Sequence, residues 1–147
     1  MSCVRFNTPA QRQQMTDVSN GVQRDEPIAQ FLGPVMTQSK IDRLRLMATS
    51  ENPKIRETVA ASRHTPEELF EALSNDPEPG VRMWLARNEH VPCDILRKLA
   101  HDPDETVRSF VAINFFVPAD AMGELAHDES PRVRALVDWK AQLAAAS

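Results

Sequence analysis

Two histidine–aspartate pairs are the first residues whose types suggest chemistry. His101-Asp102 and His127-Asp128 stand 26 residues apart. An imidazole beside a carboxylate is a component of metal sites and of general-base pairs. A shared zinc requires both rings within about 2.1 Å of one ion. Neighbouring packed helices hold their axes about 8–10 Å apart, which makes a common ion awkward. Cys93 follows Pro92 at a predicted helix start, where the dipole would lower a thiol pKa, but no thiol-enzyme pattern accompanies it. Glycine-rich phosphate loops and paired CxxC motifs are absent. The expectation is a protein with no catalytic residue, no metal and no cofactor, and so not an enzyme.

Two charged columns remain: Asp76, Asp102 and Asp128, and Arg56, Arg82, Arg108 and Arg134. Architecture explains them better than catalysis does. An aspartate after one helix can cap the next, and an arginine one turn in can reach the neighbouring aspartate or a free carbonyl. Asn88 and Asn114 form a third column, suited to helix ends whose turn groups need an amide. With Arg87, the arginines would also make a basic stripe for duplex nucleic acid. The charge balance opposes that reading. The chain carries 17 basic and 21 acidic residues, a formal charge of −4. A duplex binder needs a positive surface to displace phosphate counterions.

These columns belong to a repeat. Leu73, Leu99 and Leu125 keep the same spacing of 26, as do Val81-Arg82, Val107-Arg108 and Val133-Arg134, with Ile55-Arg56 before them. Pro66, Pro92 and Pro118 mark units 66–91, 92–117 and 118–143, after a degenerate one at about 40–65. Within a unit, Leu69, Phe70 and Leu73, then Val81, Trp84 and Leu85, have helical spacing. Each unit is expected to be two short helices. Thr65-Pro66-Glu67-Glu68 predicts an N-cap hydroxyl with proline at the first helical position, and Asp102-Pro103, Ser130-Pro131 and Asn52-Pro53 follow the same logic. Helices this short need a neighbouring unit to hold them.

The runs Leu99-Ala100-His101-Asp102-Pro103-Asp104-Glu105-Thr106-Val107-Arg108 and Val111-Ala112-Ile113-Asn114 resemble the leucine-rich repeat variant, a relative of HEAT-type repeats. The resemblance spans residues 40–143. It implies an all-α fold, a right-handed α-solenoid of about four 26-residue repeats, each α/α or α/3₁₀. The period is slightly longer than that family's usual unit, and the amino-terminal cysteine cluster of some members is missing. Resemblance of this kind speaks to fold and not to function.

Three segments are expected: a polar arm over 1–24, a capping helix over 25–39, and the repeat body over 40–147. Ile28, Phe31 and Leu32 would cover the open end of the stack. With only Cys3 and Cys93, no secretory leader and no long apolar run, a disulfide framework is not expected and a reducing cytoplasm is. A helical wheel anchored on Val81 and Leu85 turns two columns outward: Met83, Ser109 and Ala135, and Arg87, Ile113 and Trp139. Trp84, Phe110 and Leu136 flank them at the core boundary, and Phe115 and Phe116 follow in a turn. Arginine, tryptophan and methionine are enriched at binding hot spots. Met83, Arg87, Ile113, Phe116 and Trp139 are therefore the expected contacts for a protein partner. Membrane and nucleic acid are not expected partners.

Overall fold

The computed structural model describes residues 37–145, and among them the chain is all-helical. Eight helices follow in order: α1 Gln38–Ala48, α2 Pro53–Ala60, α3 Glu67–Ser74, α4 Pro79–Arg87, α5 Cys93–Leu99, α6 Glu105–Ile113, α7 Ala119–Leu125 and α8 Pro131–Ala145. All are α-helices. The expected arm, 1–24, lies outside the described residues, as does most of the expected cap, 25–39. Gln38 and Ser39, at the end of that expected cap, lie in the first turn of α1.

The helices pair as α1/α2, α3/α4, α5/α6 and α7/α8, and each pair touches only the pairs beside it. The densest packing runs between successive second helices, α2 to α4 to α6 to α8. Their inward column is Val59, Leu85, Val111 and Val137, and every member is buried. Beside it Ala60, Ala86 and Ala112 are wholly buried, small enough for neighbouring helices to approach closely. First helices contribute Phe70, Leu73, Leu96, Leu99 and Leu125 to the same core. Burying one such side chain stabilises by about 1.5–3 kcal/mol, which helices of seven to nine residues cannot supply alone.

Caps follow the sequence expectation at two of four places. Asn52 accepts the Lys54 N–H at 3.0 Å, and the Ser130 hydroxyl accepts those of Arg132 and Val133. Thr65 does not cap α3. Pro66 takes the N-cap position with extended ψ, and the Thr65 hydroxyl turns back to donate to the Val59 carbonyl at 2.6 Å. Asp102 does not cap α6 either. Asp104 does, accepting from Thr106 and Val107, while Asp102 lies two residues upstream and receives the Asp104 N–H. α4 has no side-chain cap. At its positive end the Glu57 carboxylate lies 2.6 Å from where a Cβ on Gly80 would stand, so glycine leaves room for that charge.

The last pair breaks the pattern in two columns. Asp138 replaces the buried alanine and is exposed, a charge on the face where another helix would pack. Lys140 replaces the asparagine. Asn88 and Asn114 have extended backbones that stop α4 and α6, whereas Lys140 stays helical and lets α8 run on to Ala145.

Candidate functional site

The repeating polar columns build two ladders along opposite ends of the second helices. In the first, each arginine grips the aspartate twenty residues ahead through two parallel bonds. Arg56 reaches Asp76 at 2.6 and 2.9 Å, Arg82 reaches Asp102 at 2.7 and 3.0 Å, and Arg108 reaches Asp128 at 2.8 and 3.1 Å. The remaining Nη1 donates to backbone behind it: Arg82 to the Asp76 carbonyl at 2.6 Å, Arg108 to that of Asp102 at 2.8 Å. Each aspartate also accepts the N–H two residues on. The rungs are sheltered, with side-chain exposures of 11% and 4% for Arg82 and Asp102. Burial pushes the Asp76 and Asp128 carboxyls up, but the Arg56 and Arg108 guanidiniums and the backbone donors outweigh it and hold both below their ordinary value. Arg134 ends the series. It makes the backward bonds to Asp128 and Glu129 and is exposed.

The second ladder is amide-built. Asn88 Nδ2 donates to the Ala60 and Ser62 carbonyls, and Asn114 Nδ2 to those of Ala86 and Asn88. Their Oδ1 atoms accept the N–H groups of His90 and Phe116 at 2.8 Å. Lys140 completes the column with its ammonium on the Ala112 and Asn114 carbonyls. Burial lowers that ammonium to about 8. Both ladders bond side chains across helix pairs, so the residues with the most regular spacing are bound up in holding the pairs together.

The residues outside the ladders make the exposed edge. It is formed by the ends of the second helices and the turns after them. Arg87 is exposed and stacks over the Trp84 ring, its guanidinium carbon 5.2 Å from the ring centroid. Ile113 is 39% and Trp139 53% exposed, in the same register on α6 and α8. Phe116 is half-buried and meets Phe115 edge-on at 5.1 Å. Met83 is half-buried against the core rather than outward. Ser109, in the same column, is also buried rather than outward, because α4 and α8 flank α6, and its hydroxyl has no hydrogen-bond partner among the described residues. Trp84, Phe110 and Leu136 sit at the core boundary as expected.

Two features of the edge were not among the contacts expected from sequence. Phe115, 44% exposed, presents more surface than Phe116. Arg63 joins Arg87 around Trp84, where two adjoining hollows share Ala61, Arg63 and Trp84. The signal was present: column 63, 89 and 115 holds Arg, Glu and Phe, and its lack of repetition marks a position the scaffold does not specify.

The suspected chemical residues go elsewhere. His101 Nε2 lies 3.0 Å from the Glu124 carboxylate, while His127 Nδ1 lies 3.0 Å from the Gly123 carbonyl. Among the described residues no three His, Cys, Asp or Glu side chains are grouped to hold a metal ion. Cys93 is disulfide-bonded, contrary to the expectation of unpaired cysteines, and its partner lies outside the described residues. It therefore carries no thiol, and its sulfur 4.0 Å from the Phe116 carbonyl is a contact, not a donor. No helix among the described residues is long and apolar enough to cross a membrane.

Comparison with known proteins finds no matching family model, curated protein or solved structure.

Proposed function

We propose that the chain is a non-enzymatic protein-binding module: a right-handed α-solenoid of four two-helix units, of the leucine-rich repeat variant and HEAT-like kind, working in the cytoplasm. Its contacts are Arg87, Ile113, Phe116 and Trp139, with Met83 beneath them. One observation carries this reading. Arg87, Ile113 and Trp139 stand exposed at matching positions on three successive second helices, while the ladder columns beside them are committed to the scaffold. An exposed row of large side chains on a rigid frame is what a protein interface requires. An inhibitor, immunity or adaptor role fits equally. A nucleic-acid surface draws less support, because Arg56, Arg82 and Arg108 of the would-be stripe are held in ion pairs.

Crosslinked capture from lysate with the full chain, beside an Arg87→Glu/Trp139→Ala variant of unchanged circular dichroism, tests the proposal. One dominant protein, lost with the variant, is expected. Equal capture by both forms would refute this face, and recovery of nucleic acid alone would refute the class. Alkylation before reduction tests the compartment: a labelled Cys93 fits a reducing cytoplasm, an unlabelled one an oxidising space.

A further inference from the structure

The exposed edge changes character along its length. At the α2–α4 end, Arg63 and Arg87 flank Trp84, and neither guanidinium has a carboxylate within 4.0 Å among the described residues. Lys54 borders the adjoining hollow but is tied to Glu57 at 2.9 Å, and Glu89 is the one other carboxylate at the hollow's rim. One and two packing steps beyond α4, at the ends of α6 and α8, the Arg87 column turns apolar at Ile113 and Trp139, and the Arg63 column, after Glu89, at Phe115, all three exposed. A positive, tryptophan-floored hollow therefore sits beside an apolar ridge on a chain whose net charge is −4.

We infer that this edge binds an extended segment of a partner protein that places a carboxylate between Arg63 and Arg87 and a large apolar side chain on Ile113 and Phe115. The inference rests on the protein-binding reading and names the partner's chemistry. Arg87 is already stacked on Trp84, so its fork is held in place before a carboxylate arrives. The spacing follows from the frame. Adjacent second helices lie about 8–10 Å apart, and an extended chain rises about 3.3 Å per residue. A carboxylate midway between Arg63 and Arg87 stands about one and a half such steps, roughly 12–15 Å, from Ile113, so the acidic and apolar residues of the segment are about four positions apart. A nucleic-acid strand fits less well, because past Arg87 the Lys140 ammonium is half-buried and bound to the Ala112 and Asn114 carbonyls rather than turned out to follow phosphates.

The test uses the full chain and an array of ten-residue peptides in a Gly/Ser background, each with one Glu and one Leu two to seven positions apart. Binding is expected to peak at a separation of about four, with a Kd of about 10–100 µM that weakens with added salt. Arg63→Glu and Arg87→Glu should each weaken binding about tenfold and flatten the salt dependence, a loss typical of a charged contact. Phe115→Ser should weaken it similarly while leaving the salt dependence in place. Equal binding of Lys-for-Glu peptides, indifference to spacing, or no binding below about 1 mM would overturn the inference. So would tighter binding of a twelve-residue oligothymidylate, which would assign the edge to nucleic acid. Peptide binding seen only after Asp25→Lys, Glu26→Lys and Phe31→Ser would assign it to the chain's own amino-terminal segment. A protein captured from lysate that remains bound to the Arg63→Glu and Phe115→Ser variants would refute this edge and leave the protein-binding reading standing.

Discussion

Removing one side of the Arg82–Asp102 rung should destabilise the fold far more than an ordinary surface ion pair would. Arg82→Met deletes two bonds to the Asp102 carboxylate and one to the Asp76 carbonyl. It leaves Asp102, 4% exposed, with only the Asp104 N–H. An uncompensated buried charge costs about 3–5 kcal/mol, whereas a solvent-exposed pair contributes about 0–1. The sheltered geometry puts this rung near the first range. Asp102→Leu alone should cost less than Arg82→Met, because Arg82 is more exposed and keeps its carbonyl bond. The double variant should recover part of the sum, giving a coupling of about 1.5–3 kcal/mol. Urea unfolding followed by circular dichroism supplies these differences. The rung also joins two helix pairs that touch only their neighbours, so its loss should let the two sides melt apart. Trp84 and Trp139 lie on opposite sides of it and report separately in single-tryptophan variants. A cost below about 1 kcal/mol, with coincident tryptophan transitions, would refute the claim that this ladder holds the pairs together.

Ser109→Ala should raise stability by about 1 kcal/mol, since a buried hydroxyl without a partner costs about 1–3 kcal/mol and alanine already stands at Ala135 in the same column; urea midpoints compare the two. The pH profile should bend at both ends. Asp76 and Asp128 have carboxyls held below their unfolded values, so their contribution is complete above about pH 4 and is lost as pH falls through the folded values. Lys140, lowered to about 8, gives a slope of the same sign at the alkaline end. Between about 8 and 10.5 the unfolded chain binds more protons than the folded one, so stability should rise there with pH, and Lys140→Met should remove that rise. Thermal melts across the range check both limbs.

Much of the frame was legible because it repeats. Val81, Leu85 and their counterparts at 26-residue spacing located the buried face, and the Arg, Asp and Asn columns pointed to contacts between neighbours. Helix starts were less legible. Thr65-Pro66 and Asp102-Pro103 have capping composition, but tertiary demand decides where such polar groups go: the Thr65 hydroxyl serves a carbonyl six residues back, and Asp102 serves Arg82. The exposed edge was only partly legible for a related reason. Regular columns record what the scaffold needs, so Arg63 and Phe115, which differ from their counterparts, carry no periodic signal. A helical wheel could place Arg87, Ile113 and Trp139 outward. It could not show that Ser109 is enclosed by both neighbouring helices, because that burial comes from packing between units.

The most direct test of the binding account is hydrogen–deuterium exchange on the full chain, alone and with the protein it captures. Protection is predicted over the ends of α4 and α6 and the turns after them, residues 83–90 and 109–117, and at the Trp139 turn of α8. Protection confined to the outer faces of α3, α5 and α7, with the 83–90 and 109–117 segments unchanged, would contradict it.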